Sequence, residues 1–137
     1  MSEEVYIDTN VFIYSILDED KIGDAARNII SLIKKGFYKA YISLLTIDEF
    51  IWKVYKVIGR EEAVTASEKI KNMPNIELIN LDNTTLNKML EIYKSTNLDP
   101  RDSIHLAAMQ SKEIKTIISQ DSDFDKIKDI KRLDFSK

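Results

Sequence analysis

The fold is indicated first by the stretch Val5-Tyr6-Ile7-Asp8-Thr9-Asn10. Its apolar residues predict a short strand that ends at Asp8, and Thr9 or Asn10 then predicts the cap of a short apolar helix over 11–17. A second stretch, Thr116-Ile117-Ile118-Ser119-Gln120-Asp121, predicts a later strand that also ends before an aspartate. Functional groups gather beyond the carboxyl ends of strands in open α/β sheets, so both aspartates are candidate site residues. The alternative interpretation is that each aspartate caps the helix that follows it, because aspartate is a favoured capping residue.

Helical and strand patterns alternate between these two stretches. The apolar spacing predicts helices over 24–35, 47–58, 61–72, 83–95 and 100–113, with Thr46 as the cap of the second. Strands are predicted over 40–45 and 76–81, and residues 130–135 are a candidate edge strand. Apolar strands separated by helices indicate parallel pairing, buried on both faces. The chain of 137 residues is therefore expected to form one α/β domain over residues 1–137.

Composition bounds the kind of chemistry that the chain can perform. With 44% hydrophobic and 31% charged residues, a folded core is expected and intrinsic disorder is excluded. Cysteine is absent, which excludes disulfides, a cysteine nucleophile and thiolate zinc sites. His105 is the only histidine, which excludes zinc sites that need two or three histidines. The net charge of −3 argues against general nucleic-acid binding, although a local basic face or metal ions would still permit it. Catalysis would therefore rest on carboxylates.

The chain shows no sign of a membrane segment or an export signal. No apolar run approaches the roughly 18 residues that a membrane span needs. The first four residues, Met1-Ser2-Glu3-Glu4, are acidic where a signal peptide would be basic. We therefore expect an intracellular, cytoplasmic protein without membrane partners.

Glu49 lies on the helix predicted over 47–58, roughly opposite the centre of its apolar stripe. Lys53 and Lys56 share its face. One interpretation is a solvated face with a Glu–Lys pair worth about 0.3 kcal/mol. The other is an acid at the edge of a cleft, with two lysines placed to meet phosphates.

Asp102 comes near the start of a helix that is apolar all round, which is typical of a central, buried helix. An unpaired charge there is costly, so Asp102 needs a cation or a helix N-terminus as its partner. The segment Asp99-Pro100-Arg101-Asp102 also has the pattern of a helix start, with Arg101 as a pairing partner for either acid. His105, one turn further on, is expected to be a packed, hydrogen-bonded residue and not a ligand.

Acids alternate in the segment Asp121-Ser122-Asp123-Phe124-Asp125 in the manner of a calcium-binding loop. Such a loop needs glycine at its sixth position and glutamate at its twelfth. Lys126 and Arg132 occupy those positions, so a calcium loop is excluded.

Four motifs in order resemble the PIN-domain family, and most of all its small prokaryotic members, of which the VapC toxins are the largest group. They are Asp8-Thr9-Asn10, then Thr46-Ile47-Asp48-Glu49-Phe50, then the run from Pro100 to Ala108, and finally Ser119 to Phe124. The resemblance covers the whole chain. It implies a three-layer αβα sandwich around a central parallel sheet and ribonuclease activity that depends on Mg²⁺ or Mn²⁺.

The resemblance also assigns roles to residues. The acidic quartet corresponds to Asp8, Glu49, Asp102 and Asp121. Supporting positions correspond to Asn10, to Ser119, where the family often has threonine, and to Asp123 as a frequent extra acid. We expect Asp8 and Asp102 to hold the cation with Asp121 close by, and RNA to contact Lys53, Lys56 and Arg101. Carboxylates alone would repel a phosphodiester, whereas carboxylates that hold a hard cation attract it.

Several alternatives remain beside this hypothesis. A haloacid-dehalogenase-type phosphatase needs a second aspartate where the chain has Asn10, and a response-regulator receiver needs a threonine and lysine pair that is missing here. The serious alternative is a PIN fold that serves as a binding or scaffold module without nuclease activity. A toxin with an antitoxin protein as its partner and a housekeeping nuclease are not distinguished by the sequence.

Trp52 and Tyr55 lie on the flank of the third predicted helix, away from the centre of its apolar stripe. Because aromatic residues are enriched at interfaces, we expect a two-fold homodimer near this helix. The alternative is that the helix over 61–72 covers Trp52 within one subunit.

Overall fold

The alternating pattern folds into a five-stranded sheet flanked by helices in the computed structural model, which describes residues 2–137. The strands are β1 (Glu3–Ile7), β2 (Tyr38–Ser43), β3 (Ile76–Ile79), β4 (Thr116–Ile118) and β5 (Lys131–Leu133). The α-helices are α1 (Thr9–Leu17), α2 (Lys21–Lys34), α3 (Leu44–Ile58), α4 (Arg60–Lys71), α5 (Asn83–Ser95) and α6 (Pro100–Ser111). A 3₁₀ helix covers Ser122–Lys126.

The strand order is β3-β2-β1-β4-β5, and all four neighbouring pairs are parallel. The prediction of a parallel α/β sheet is therefore confirmed, including the edge strand near the C-terminus. β1 is central, and Val5, Tyr6 and Ile7 are fully buried. The carboxyl ends of β1 and β4 are adjacent, since the backbone N–H of Asp8 donates to Ile118 O over 3.0 Å. Asp8 and Ser119 thereby come to the same edge of the sheet.

The sheet separates two apolar cores, as expected for a three-layer αβα sandwich. Alternate side chains of β1 point to opposite faces, so Val5 and Ile7 pack with α1 to α4, whereas Tyr6 packs with α5 and α6. The predicted burial of α6 is also confirmed, because its residues Leu106–Met109 are all buried. Within residues 2–137, no helix combines the length and the apolar character needed to cross a membrane.

The start of α3 differs from the prediction. The helix begins at Leu44 with Ser43 as its cap, and Thr46 occupies the third helical position. The side chain of Thr46 accepts a hydrogen bond of 3.1 Å from the backbone N–H of Ser43, so Thr46 closes the first turn from inside the helix. The buried strand predicted over 40–45 includes Leu44, but Leu44 is the first residue of α3 and is 64% exposed. Similarly, Asp8 occupies the cap position of α1, but its side chain makes no capping hydrogen bond.

The start of α6 agrees with the pattern seen in the sequence. Asp99 is the N-cap, Pro100 is the first helical residue, and Asp99 Oδ1 accepts a hydrogen bond of 2.8 Å from the backbone N–H of Asp102. The cap is thus provided by Asp99, and the carboxylate of Asp102 remains available to the site. Other helix and strand ends differ from the predicted ones by a few residues, as at α2, which begins at Lys21 and not at Asp24.

Candidate active site

A cavity of about 190 Å³ at the carboxyl edge of the sheet contains all four predicted acids. Asp8 follows β1, Glu49 lies on α3, Asp102 on α6, and Asp121 follows β4. The remaining lining residues are Thr9, Asn10, Ile13, Asp48, Trp52, Lys53, Asp99 and Arg101. Side chains that are far apart in the sequence therefore share one cleft, as their positions beyond strand ends predict.

Ser119 connects the two aspartates that follow β1 and β4. Its Oγ donates to Asp8 Oδ2 over 2.6 Å and accepts from the backbone N–H of Asp121 over 2.9 Å. Asp121 Oδ1 in turn accepts from the backbone N–H of Asp123 over 2.9 Å. Ser119 is fully buried, so its hydroxyl orients the Asp8 carboxylate from inside the protein.

Three carboxylates are close enough to share one cation. Asp102, Asp121 and Asp123 each offer an oxygen, and these oxygens lie within 4.8 Å of one another. This group contains two of the three predicted ligands, with the exposed Asp123 as its third member, whereas Asp8 lies outside the group and lines the same cavity. A donor set made only of carboxylate oxygens fits a hard cation such as Mg²⁺ or Mn²⁺.

Burial, together with neighbouring negative charges, raises the pKa values of two acids of the cleft. Burial, followed by the negative charges of Asp99, Asp121 and Asp8, raises the pKa of Asp102 to about 7. Burial likewise raises the pKa of Asp8, even though the hydrogen bond from Ser119 lowers it. Two acids that resist ionisation next to each other are stabilised in the charged form by a cation. The electrostatics of the cleft thus favour a positive ligand.

Glu49 points into this cleft and not to a solvated face. Its Oε1 accepts a hydrogen bond of 2.8 Å from Thr9 Oγ1 and one of 2.7 Å from His105 Nε2. Burial by itself raises the pKa of Glu49, but the hydrogen bond and charge of His105 outweigh it and hold the pKa below its usual value. Glu49 is therefore ionised at neutral pH.

His105 is packed and hydrogen-bonded, as expected, and the structure adds its partners. It is 2% exposed, and its Nδ1 lies 2.6 Å from Tyr6 Oη, which donates to Ser43 Oγ over 3.0 Å. Burial alone lowers the pKa of His105, but Tyr6 and Glu49 outweigh it and raise the pKa to about 10. Sequence reasoning missed Tyr6, Thr9 and Ser43, since no spacing pattern marks them.

The three basic residues predicted to contact RNA are not equivalent. Lys53 and Arg101 line the cavity with the acids. Lys56 is not among the lining residues, and its Nζ lies 4.6 Å above the centre of the Trp52 ring. Its side chain is therefore engaged in a cation–π contact beside the cleft.

Trp52 remains 56% exposed, so α4 does not cover it, and that alternative interpretation is wrong. Tyr55 packs partly against the core formed with α1 to α4, and its ring centre lies 6.0 Å from that of Trp52. Trp52 thus forms an aromatic rim of the acidic cavity and is accessible to a partner.

Arg132 fixes the loop that carries Asp121 and Asp123. Its guanidinium donates to both carboxylate oxygens of Asp125 over 2.8 and 2.9 Å, and to the backbone carbonyl of Ser119 over 3.1 Å. No local pattern in the sequence predicts this role for Arg132. In the structure it attaches the segment after β4 to the edge strand β5.

The PIN domain family model matches residues 5–130. Among solved structures, VapBC2 from Rickettsia felis bound to a promoter DNA fragment has a TM-score of 0.73 at 16% identity, covering 95% of this chain and 97% of that chain. DNA-bound VapBC from Salmonella typhimurium has a TM-score of 0.72 at 20% identity and covers 98% of this chain and 99% of that chain. VapC20 from Mycobacterium tuberculosis, described as a Sarcin-Ricin loop cleaving toxin, has a TM-score of 0.72 at 16% identity over 88% of this chain and 92% of that chain.

No curated protein sequence matches the chain. At these identities the solved structures establish the fold alone, whereas the family model spans most of the sequence. The order of the acidic motifs, their convergence in one cleft and the family match agree with one another. The chain belongs to the PIN domain family.

Proposed function

We propose that the chain is an endoribonuclease that depends on Mg²⁺ or Mn²⁺, cleaves RNA phosphodiester bonds at the acidic cavity, and acts in the cytoplasm as the toxin of a toxin–antitoxin pair. The observation that carries the proposal is the group of carboxylate oxygens of Asp102, Asp121 and Asp123 within 4.8 Å of one another. Similarity to VapBC complexes and to a toxin described as Sarcin-Ricin loop cleaving supports the biological role.

The proposed cation ligands are Asp102 and Asp121, with Asp8 and Asp123 as the adjoining acids. When bound, a divalent cation supplies positive charge at the phosphate and lowers the pKa of a coordinated water. Ser119 holds the carboxylate of Asp8 in one orientation, and Asn10 offers an amide to the same cavity.

The other residues of the cavity act on the substrate and on water. Lys53 and Arg101 attract the phosphates of RNA to a cleft whose acids would otherwise repel them. Glu49 is ionised and orients a water molecule by accepting its hydrogen bond. The RNA is expected to be single-stranded or a loop, because the cleft is open and its rim carries an exposed Trp52 on which an unpaired base can stack.

Cleavage of a labelled single-stranded RNA by the purified protein tests the proposal. EDTA should abolish cleavage, and Asp8→Asn or Asp102→Asn should reduce the rate by on the order of 100-fold or more, because each weakens charge stabilisation. Ser67→Ala is a matched control, since Ser67 lies on α4 and bonds only within that helix. Full activity of Asp8→Asn in Mg²⁺ would contradict the mechanism.

A binding or scaffold module is the alternative that the same material can test. If wild type shows no cleavage while Mn²⁺ still raises its melting temperature, the cavity binds metal without nuclease activity. The proposed antitoxin partner is tested by co-expression with the adjacent open reading frame, which should relieve growth inhibition by this chain.

A further inference from the structure

One oxygen of Glu49 is held by two donors at once. Thr9 Oγ1 and His105 Nε2 both contact Oε1, over 2.8 and 2.7 Å. Both donors are buried, with 3% of Thr9 and 2% of His105 exposed. Because the donors approach from α1 and α6, they fix Oε1 on the protein side of the cleft.

The other oxygen of Glu49 is left for the cleft. Within residues 2–137, every buried polar side-chain atom has a hydrogen-bond partner. Oε2 of Glu49 accepts no hydrogen bond among these residues, so it is not a buried atom. Oε2 is therefore accessible, and it belongs to a residue that lines the acidic cavity. The two oxygens of one carboxylate thus have different tasks.

His105 is itself held from the far side of its ring. Tyr6 Oη donates to Ser43 Oγ, which leaves the phenol oxygen free to accept from His105 Nδ1–H over 2.6 Å. Both ring nitrogens then donate, one to Tyr6 and one to Glu49, as expected for an imidazolium. The chain of contacts joins β1, β2, α3 and α6, three of which carry or directly precede an acid of the cleft.

We propose that His105 is a positioning residue that fixes Oε1 of Glu49, so that Oε2 faces the cleft and accepts a hydrogen bond from the attacking water. The inference rests on the proposed ribonuclease function for its catalytic consequence, but the clamp on Oε1 exists independently of any activity. His105 touches neither water nor RNA in this role and acts through Glu49.

Two substitutions of His105 separate the donor to Glu49 from the rest of the ring. In His105→Gln the amide reaches the Nε2 position and retains the donor, whereas His105→Asn retains only the position of Nδ1. We expect the asparagine variant to lower kcat about 10- to 100-fold, because the geometry of a reacting group is lost, with RNA affinity in EDTA changed by less than about twofold. The glutamine variant should recover most of the rate.

Thr9→Val removes the second donor with little change in shape and should also lower kcat with unchanged RNA affinity. Ser67→Ala, which also deletes a buried hydroxyl, should leave kcat unchanged. A folded asparagine variant that cleaves at the wild-type rate overturns the proposal. Equal rates for the two His105 variants, both well below wild type, also overturn it, since the Nε2 donor would then be irrelevant.

Nuclear magnetic resonance provides a readout that needs no catalysis. His105 is the only histidine, so its ring signals are assigned without ambiguity. The Nε2 proton should exchange slowly and shift when Glu49 is changed to Gln. If wild type cleaves no RNA but shows this signal, the ribonuclease proposal fails and the clamp stands. The clamp is overturned if the Nε2 proton exchanges rapidly and its chemical shift is the same in wild type and in Glu49→Gln.

Discussion

The affinity of the cleft for Mn²⁺ should fall when the pH is lowered from 8 to 6. The pKa of Asp102 is raised to about 7 by burial and by the charges of Asp99, Asp121 and Asp8, so a proton and the cation compete for the same carboxylate. With this pKa, roughly 90% of Asp102 is ionised at pH 8 and roughly 10% at pH 6. The apparent affinity should therefore drop about tenfold, or about 1.4 kcal/mol.

The same shift gives the sign of the effect on stability. Because the pKa of Asp102 in the folded state lies above the 3.8 of an unperturbed aspartate, protonation of this group stabilises the metal-free fold at low pH, and that contribution is lost as the pH rises through about 7. The raised pKa of His105 acts in the same direction, with its contribution complete below 6.5 and lost as the pH rises towards about 10. Mn²⁺ should consequently raise the melting temperature more at pH 8 than at pH 6.

Isothermal titration of Mn²⁺ at pH 6, 7 and 8 measures the affinity, and buffers of different ionisation enthalpy report the proton that is released. Asp99→Asn is the informative variant, because asparagine caps a helix as well as aspartate does but removes the largest charge that acts on Asp102. It should move the loss of affinity to lower pH. Equal dissociation constants at pH 6 and 8 for wild type would refute the reasoning.

Three further predictions concern the rim, the interface and the buried hydroxyl. Lys53→Glu should weaken RNA binding in EDTA and reduce its salt dependence more than Lys56→Glu, because only Lys53 lines the cavity; equal effects in a filter-binding assay would mean that the cleft does not set affinity. Light scattering should detect a homodimer that Trp52→Lys dissociates, and a dimer that survives this change has its interface elsewhere. Ser119→Ala should lower the cleavage rate while Ser119→Thr retains it, because the hydroxyl orients Asp8; an active alanine variant would contradict this.

Local signals in the sequence determined the order of the elements and most candidate acids. Apolar residues that recur at every second position predict strands, and those that recur every three to four positions predict helices. These spacings arise because the side chains on one buried face repeat with the period of the element. Asp8 and Asp121 are predictable from the sequence, because each directly follows an apolar run, or its final polar residues, that indicates the end of a strand. The cap at Asp99 is equally local, because it depends on a bond to a residue three positions along the chain.

Tertiary structure alone decided which of these side chains meet. Pairing of β1 with β4 brings Ser119 to Asp8, and packing of α3 near α6 brings His105 to Glu49, although neither pair is close in the sequence. The helical pattern does not decide whether Glu49 faces solvent or a cleft. Periodicity gives the direction of a side chain relative to the apolar stripe, but it does not identify the neighbour that lies there. Lys56 contacts Trp52 and does not line the cavity, and Asp123 joins the group of three carboxylates. Neither position was predictable, since the partner of a side chain depends on long-range contacts that no local pattern encodes.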